Sequence, residues 1–552
     1  MTSPDGNSRA PVGAFPITHR LLRGYAPAVV LIVVVGLIAL FVPSKVPSKA
    51  SAFGSGGPGA SGPAASNNPS VAANAAGGST TTAPSSGTAG HTVTTPGTVA
   101  ACSGQTEQVP GDPYSPPCIT FSGSNGGATS KGVSASTINV TARLTTDQSF
   151  QQTLATLAGA QLRDTNADNE RTINALVQYF NSHFQFYGRK IAVKYYTGQG
   201  SLSNELQGYG QAQAEVDANS AASMGSFADV TAESEPYATA LWQDGVMGFG
   251  DPYMPNSWHI NHAPYDWSLA TDGTDLATDA ANYVVQKLCP AGTPAALAGG
   301  GLKNAPRKFA NIAPQNELYQ ESAKIFSQIM AAHGCVSNSF QYSLDLGTES
   351  QQAANLVAQL KAGGYTTIVC GCDPIFPVYL SGQAAQQSFL PEFVEIGAAL
   401  VDQDYVGQLY NQSFFSHAFG ISPNLAAVPY TQTLGYAAYK TVNSDEPAFF
   451  VNNIYLQLDQ LAIGIQMAGP DLTPASFQAG MYKYPAKLGP AGLWAFSPTQ
   501  HTIPNDFREV CWSPNTVSPY NGKMGAYIQT SNQRWTASDI PKGPPGCPIP
   551  SS

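Results

Sequence analysis

Hydroxyl groups that could hold a small anion lie in the segment Gly-Ser-Phe-Ala-Asp-Val-Thr, residues 225–231. The pattern predicts that this segment follows a strand at 222–225 and begins a helix. Ser226 and Thr231 would then lie at a helix N-terminus, where hydroxyl and backbone N–H groups can bind a carboxylate. The same hydroxyls could instead only cap the helix, and the sequence leaves both roles open.

A carboxyl group follows another predicted strand. Residues 366–370 are short, β-branched and apolar, which is typical of a strand buried on both faces. Asp373 follows this strand and precedes Pro374, which we predict to occupy the first position of a helix. We predict that Asp373 caps this helix. Ligands collect at the C-terminal ends of such strands, so a contact between Asp373 and a ligand is the alternative.

Aromatic side chains follow the strand predicted at 246–249. The aromatic residues are Phe249 at the strand end, then Tyr253, Trp258 and Tyr265, with His259 and His262 among them. They could line a cleft for an apolar or aromatic ligand, or they could only pack between two lobes.

The sequence lacks the signatures of metal binding and catalysis. His259-x-x-His262 with Asp251 or Asp266 nearby has no supporting metal-site spacing. The chain contains no Gly-x-Ser-x-Gly, no phosphate-binding loop and no His-Glu-x-x-His. We therefore predict no metal, no cofactor and no enzymatic activity.

Helices and strands that would position these groups alternate along the chain. Ala353, Leu356, Val357 and Leu360 recur at helical spacing, and glycines 363 and 364 end that helix. Similar patterns predict strands at 138–142, 191–195, 309–313 and 393–397, a strand ending at 342, and helices around 170–184, 207–216, 283–288, 319–330, 436–439 and 454–465. The alternation predicts an α/β fold with mainly parallel sheets in two lobes.

The N-terminal part predicts a membrane anchor and a linker. Residues 26–43 are uncharged and almost wholly apolar, close to the length that crosses a bilayer, and residues 1–25 would form a short cytoplasmic tail. Ala-Ser-Ala at 50–52 resembles a signal-peptide cleavage site, but it lies far beyond the apolar run, so we favour an anchor. Residues 44–101 are rich in Ala, Gly, Ser, Thr and Pro and predict a disordered linker.

The cysteines indicate an oxidising compartment. All eight lie after the linker, in residues 102–552, so this part of the chain is expected to be extracytoplasmic. The simplest pairing joins neighbours: Cys102 with Cys118, Cys289 with Cys335, and Cys511 with Cys547. Cys370 and Cys372 could form a tight disulfide or remain as buried thiols. The net charge of −10 predicts no nucleic-acid partner.

Short phrases of the chain are similar to a known family. They are Gly-Val-Ser-Ala-Ser-Thr-Ile-Asn-Val (132–140), Ile-Asn-Ala-Leu-Val-Gln-Tyr-Phe-Asn (173–181), Tyr-Gly-Arg-Lys-Ile (187–191), Met-Gly-Ser-Phe (224–227) and Ala-Asn-Leu-Val-Ala-Gln-Leu-Lys-Ala-Gly-Gly-Tyr-Thr-Thr-Ile-Val (354–369). Their order over residues 131–530 resembles the branched-chain amino-acid-binding (Leu/Ile/Val-binding-like) family of ABC transporter substrate-binding proteins. The resemblance implies the type I periplasmic-binding fold, with doubly wound lobes joined by a hinge. Lobe 1 would comprise about 131–265 and 403–485, and lobe 2 about 266–402 and 486–535.

The resemblance also implies site residues. The segment 225–231 matches the family's first-lobe ligand loop, and Tyr319 matches a tyrosine between the lobes, although its helical spacing also fits core packing. Asp402 lies near the place where the family holds a ligand ammonium, with a solvated loop charge as the alternative. The first strand leads to Arg143 and 144–147, where the family has a Ser-Gly loop.

The function implied by the resemblance is solute capture for an ABC transporter. The expected partners are a small ligand (an amino acid or another small metabolite, aromatic ones included), an ABC permease, and the membrane through the N-terminal helix. A ligand-sensing receptor without transport is the nearest alternative, and a hydrolase is a more distant one.

Overall fold

The computed structural model describes residues 102, 104–145, 153, 156, 164–250 and 253–550. The predicted tail (1–25), anchor (26–43) and linker (44–101) lie outside these residues. No helix in the described part is long and apolar enough to cross a membrane.

The first lobe is built on five parallel strands in the order β2-β1-β3-β4-β5. They are β1 (Thr137–Leu144), β2 (Lys190–Thr197), β3 (Ala228–Asp229), β4 (Met247–Gly250) and β5 (Asp266–Ser268). All residues of β3, β4 and β5 are buried, because helices cover both faces of the sheet.

Helices of the first lobe pack through apolar stripes. They are α1 (Asn166–His183), α2 (Leu202–Leu206), α3 (Gln211–Ser223), α4 (Glu235–Gln243) and α5 (Asn256–Asn261). In α1, Ile173, Leu176, Val177 and Phe180 form the predicted buried stripe. Thr165 and Asp168 form a capping box at its start, which fixes where the helix begins.

The second lobe is built on a seven-stranded sheet in the order β14-β13-β10-β9-β8-β6-β7. Its strands are β6 (Phe309–Pro314), β7 (Ser337–Tyr342), β8 (Thr367–Cys370), β9 (Glu392–Glu395), β10 (Ala418–Ser422), β13 (Arg508–Val517) and β14 (Met524–Gln529). The strands from β7 to β10 are parallel, and β13 and β14 are antiparallel at the edge. The small hairpin β11 (Lys487–Gly489) and β12 (Gly492–Trp494) stands apart.

The remaining helices cover both sheets. Those of the second lobe are α6 (Gly273–Lys287), α7 (Glu317–Ala332), α8 (Glu349–Ala362), α9 (Phe376–Gln386), α10 (Asp404–Gly407) and α11 (Gln412–Phe415). The helices α12 (Leu434–Val442), α13 (Val451–Ala468) and α14 (Pro474–Met481) return to the core of the first lobe. The stripe predicted for α8 is buried, and β8 is buried on both faces, as the sequence indicates.

The lobe boundaries differ from those predicted. β5 (Asp266–Ser268) pairs with β4 in the first sheet, and β10 pairs with β9 in the second. Trp494 and Ile503 lie in the core of the first lobe, whereas Phe507 lies in that of the second. The chain therefore crosses between lobes near 269–272, 423–433 and 504–507, since long-range strand pairing decides lobe membership.

Three local predictions also need correction. The strand predicted at 222–225 is wrong, because α3 continues to Ser223 and the strand lies at β3. The helix predicted at 283–288 is the last part of the longer α6. The helix after Asp373 begins at Phe376, two residues later than Pro374.

Four disulfides join the cysteines in the described part of the chain. The bonds Cys102–Cys118, Cys289–Cys335 and Cys511–Cys547 confirm the predicted neighbour pairing. Cys370 and Cys372, for which the sequence left two states open, form the fourth bond. The loop at the end of β8 is thereby closed by a disulfide.

Candidate functional site

A cavity of about 190 Å³ lies where segments at or after the C-terminal ends of strands from the two lobes meet. Tyr253 follows β4 of the first sheet, and Leu206 comes from α2 of the same lobe. The second lobe contributes Pro314 at the end of β6, residues 371–374 after β8, and Ile396 after β9. Ligands of two-lobed α/β proteins bind at such strand ends.

The wall of this cavity is mainly apolar. Leu276, Phe326, Val369 and Ile396 contribute hydrocarbon and aromatic surface. An engineered cavity of about 150 Å³ lined by apolar residues binds benzene, so the space suits one ring or a branched chain of similar size.

Asp373 is the one acidic side chain among the described residues of this wall, and it precedes helix α9. Its Oδ1 accepts hydrogen bonds from the N–H groups of Ile375, at 2.7 Å, and Phe376, at 3.2 Å. Its Oδ2 accepts a 2.7 Å hydrogen bond from the Tyr342 hydroxyl. Burial raises the pKa of Asp373 above its usual range. Asp373 therefore both binds backbone N–H groups at the start of a helix and lines the cavity, and its contact with a ligand remains a prediction.

A second carboxyl group, Glu349, lies close enough to Asp373 for the two charges to interact, and it was not predicted. Glu349 is fully buried, and neither of its carboxyl oxygens has a hydrogen-bond partner among the described residues. Burial, followed by the negative charges of Asp373 and Asp345, raises the pKa of Glu349 to about 9. The two carboxyl groups therefore retain a proton between them at neutral pH. Glu349 lies one turn before Ala353 on the buried stripe of α8, a signal that could have revealed it.

A second cavity of about 100 Å³ adjoins the first at Tyr253. An aromatic cluster, which we call the interlobe cluster, lines it with Tyr405, Tyr430, Phe449 and Tyr520. The ring centroids of Tyr405 and Phe449 lie 5.1 Å apart, and those of Phe449 and Tyr520 lie 5.8 Å apart. Tyr405 and Tyr520 belong to the second lobe, whereas Tyr430 and Phe449 are in the segment that returns to the first. The cluster thus joins the two lobes.

Tyr253 and Tyr319 line the larger cavity together with Asp373. Tyr253 has a φ of 52°, a left-handed backbone conformation, and its side chain borders both cavities. Tyr319 lies in the first turn of α7. The structure therefore brings these three predicted residues to one place.

The structure does not bring Ser226 and Thr231 to either cavity wall. Ser226 precedes β3, is fully buried, and lies at the opposite end of that strand from the cavities. Thr231 follows β3, donates a 2.6 Å hydrogen bond to Asp229 and accepts one of 2.8 Å from the backbone of Arg143. Neither residue begins a helix, since α4 starts at Glu235, so the predicted helix start is wrong.

Trp258 and Asp402 also lie away from the described cavity walls. Trp258 is buried in the first lobe and stacks on His262, with ring centroids 4.0 Å apart. The buried carboxylate of Asp402 accepts hydrogen bonds from Ser422 and Asn424. Burial raises the pKa of Asp402. Asp402 therefore organises the loop before the second crossing between the lobes.

Histidines and carboxylates do not gather into a metal site in the described part of the chain. His259 is hydrogen-bonded to Asp266 through Nδ1. Burial favours neutral His259, but the Asp266 carboxylate outweighs this effect and the pKa of His259 is raised. This pair is fully buried within the first lobe.

Arg143 occupies the place of the Ser-Gly loop expected after β1. Its guanidinium forms hydrogen bonds of 2.8 and 3.0 Å to Glu205 and one of 3.2 Å to Asp217. It also lies 3.7 Å from the centre of the Tyr237 ring. Arg143 is therefore paired inside the first lobe and does not line either cavity.

No protein-family model matches the sequence, and a search of curated proteins gives no match. Solved structures do resemble the fold. The solute-binding protein of an ABC transporter from Rhodopseudomonas palustris BisB5, in complex with 3,4-dihydroxybenzoic acid, has a TM-score of 0.50 and 12% identity, covering 73% of this chain and 98% of that chain. An ABC transporter substrate-binding protein from Aeropyrum pernix has a TM-score of 0.51 and 13% identity, with coverages of 73% and 96%.

A third neighbour is the fatty acid ABC transporter substrate-binding protein from Thermomonospora curvata. Its TM-score is 0.51 at 12% identity, and the match covers 75% of this chain and 97% of that chain. These neighbours are substrate-binding proteins rather than enzymes. The similarity confirms the predicted fold: the chain has the two-lobed α/β architecture of type I solute-binding proteins of ABC transporters.

Proposed function

We propose that this protein is an extracytoplasmic solute-binding protein, which captures a small molecule between its lobes and delivers it to an ABC permease. The observation that carries the proposal is the 190 Å³ cavity at the meeting strand ends, in a fold shared with such proteins. A neighbour holding 3,4-dihydroxybenzoic acid and another serving a fatty acid transporter support a ligand with a substantial apolar part.

The proposal includes closure of the lobes around the ligand. Three chain crossings connect the lobes and form a hinge, and the interlobe cluster stabilises the closed arrangement. A ligand that contacts both lobes favours the closed arrangement, because it binds the open form more weakly.

We further propose that residues 26–43 anchor the protein in the membrane and that residues 44–101 tether the lobes outside the cytoplasm. The four disulfides support the compartment, since such bonds persist in oxidising surroundings. Protease added to intact cells should release a fragment beginning near the end of the linker. A fragment protected until the membrane is opened would contradict this orientation.

A ligand screen on the purified full-length protein tests the binding function. A ligand at about 100 times its Kd stabilises the folded state by about 2.7 kcal/mol, which a thermal-shift assay detects. Uptake of the same ligand by cells with and without the protein then tests delivery. Binding without any effect on uptake would favour the sensing receptor, and turnover of the ligand would identify a hydrolase.

A further inference from the structure

The helix N-termini around the 190 Å³ cavity are already occupied by side chains of the protein. Asp272 caps α6 with two hydrogen bonds of 2.9 Å, and Asn316 caps α7 with one of 3.0 Å. Asp373 accepts from the N–H groups at the start of α9. A helix N-terminus is where a fold of this kind would hold a ligand carboxylate. Asp272 and Asn316 are the N-cap residues of α6 and α7, and at α9 the N–H groups of Ile375 and Phe376 are bonded to Asp373.

The wall also lacks a cationic partner for a carboxylate. Its described residues include no arginine, lysine or histidine. Arg143, which replaces the expected loop after β1, is held by Glu205 and Asp217 inside the first lobe. A bound carboxylate would therefore have to leave water without a compensating positive charge from this described surface.

Acidic groups do lie at and near the cavity, and they lack a positively charged partner in the described part of the chain. Asp373 lies in the wall, and the buried Glu349 beside it has no hydrogen-bond partner on either carboxyl oxygen in the described part of the chain. The titratable groups that act on Glu349 are Asp345, Asp373, Tyr342 and Tyr379, and all of them are acids. Two buried carboxyl groups without a counter-ion cannot both be charged at low cost, so one of them keeps a proton.

We propose that the ligand is a small amine without a carboxylate, in which an ammonium group meets Asp373 and an aromatic or branched aliphatic body fills the apolar wall. The inference rests on the proposed function and specifies its ligand class. The ammonium supplies the positive charge that Asp373 and Glu349 lack. Ser322 offers a further contact, since its hydroxyl lines the cavity and has no hydrogen-bond partner among the described residues.

Proton release follows from this arrangement. Without ligand, the pair of carboxyl groups retains a proton. An ammonium against Asp373 stabilises the doubly ionised pair, so the proton leaves for solvent as the amine binds. The amine keeps its own proton, and no covalent bond changes. Calorimetry in buffers of different ionisation enthalpy measures the number of protons released.

The decisive experiment compares three probes of one size on the full-length protein. Phenethylamine, 2-phenylethanol and phenylacetate present an ammonium, a hydroxyl and a carboxylate on similar bodies. We expect phenethylamine to bind at least tenfold more tightly than 2-phenylethanol, and phenylacetate to bind most weakly. Phenylacetate or 4-hydroxybenzoate binding as tightly as the amine would overturn the inference and leave the proposed function standing. Failure of every probe in the wider ligand screen would overturn both.

Single substitutions test which carboxyl group binds the ammonium and which one releases the proton. Asp373→Asn should weaken phenethylamine binding at least tenfold while leaving 2-phenylethanol binding within a few-fold, which separates lost charge from lost folding. Glu349→Gln should abolish the proton release. Glu317→Gln is the matched control, because Glu317 is an exposed carboxylate at the start of the cavity-lining helix α7, and it should change neither quantity. Unchanged amine affinity in a folded Asp373→Asn protein would contradict the inference.

Discussion

The guanidinium of Arg143 forms two hydrogen bonds to the carboxylate of Glu205, 2.8 and 3.0 Å long, at the end of β1. Both side chains are almost fully buried, and Asp217 lies 3.2 Å from the same guanidinium. This network ties the first strand to α2 and α3, and it includes the Ser234 hydroxyl, which donates to Glu205. It fixes the first-lobe side of the cleft, where Leu206 lines the cavity.

Arg143→Met should destabilise the protein by about 3–5 kcal/mol, because it leaves Glu205 and Asp217 buried without their cation. Denaturant unfolding of the purified protein measures the loss. Lys487→Met is the control, since the Lys487–Glu107 pair is partly exposed and should contribute less than about 1 kcal/mol. Equal losses of unfolding free energy in the two variants would show that the buried Arg143 network stabilises the protein no more than a partly exposed ion pair does.

The disulfides should differ in their contribution according to the loop that each one closes. Cys511 and Cys547 are separated by 36 residues, and a loop of that size contributes about 4 kcal/mol in the chain-entropy account, which is model-dependent. Cys370 and Cys372 are separated by 2. Replacing both members of each pair by alanine should therefore cost the 511–547 variant at least twice as much unfolding free energy. The reverse order would mean that loop entropy does not govern these bonds.

Local periodicity predicted the elements with strong apolar contrast. The stripe Ala353, Leu356, Val357 and Leu360 and the buried strand β8 both follow directly from residue type and spacing. The helix predicted around 207–216 lies instead at α3 (Gln211–Ser223). Its buried face consists of alanines and Asp217, which give little hydrophobic contrast with the polar face. Lobe membership depends on strand pairing between distant segments, which no local pattern encodes.

Correct and incorrect strand positions also explain which residues of the candidate site the sequence predicts. Tyr253, Tyr319 and Asp373 line one cavity because they follow strands β4, β6 and β8, whose apolar residues predict their positions closely. Ser226 was placed at the wrong end of β3, since the strand was predicted a few residues too early. The interaction between Glu349 and Asp373 depends on the tertiary fold, so the sequence alone could not show it, although the position of Glu349 on the stripe of α8 is visible in the sequence.

Stability should fall with rising pH through Asp459. This side chain is fully buried on α13, and neither carboxyl oxygen has a hydrogen-bond partner among the described residues. Burial, and then the negative charge of Asp112, raises its pKa well above the ordinary value. The folded state therefore binds more protons than the unfolded state, so the free energy of unfolding decreases as pH rises above the unfolded pKa of about 3.9.

Asp459→Asn should remove this dependence, because the amide cannot ionise. Between pH 5 and 8 the stability of the variant relative to wild type should rise by up to about 1.4 kcal/mol per pH unit. Denaturant unfolding at several pH values measures the difference, which cancels groups that titrate equally in both proteins. A constant difference across this range would show that Asp459 does not titrate differently on folding.

The interlobe cluster should control how readily the cleft closes. Phe449 contacts the rings of Tyr405 and Tyr520 across the lobes, and an aromatic contact contributes about 0.5–1.5 kcal/mol beyond its buried area. Phe449→Ala should populate the open form, so the apparent Kd of a cleft ligand should rise by roughly two- to tenfold or more. Small-angle scattering should show a larger ligand-free radius of gyration.

Tyr436→Ala is the control, because Tyr436 contacts Tyr430 within one segment and its loss should leave both the Kd and the radius of gyration unchanged. If Phe449→Ala lowered thermal stability but altered neither the radius nor the Kd, the cluster would be packing alone and the closure assigned to it would be wrong.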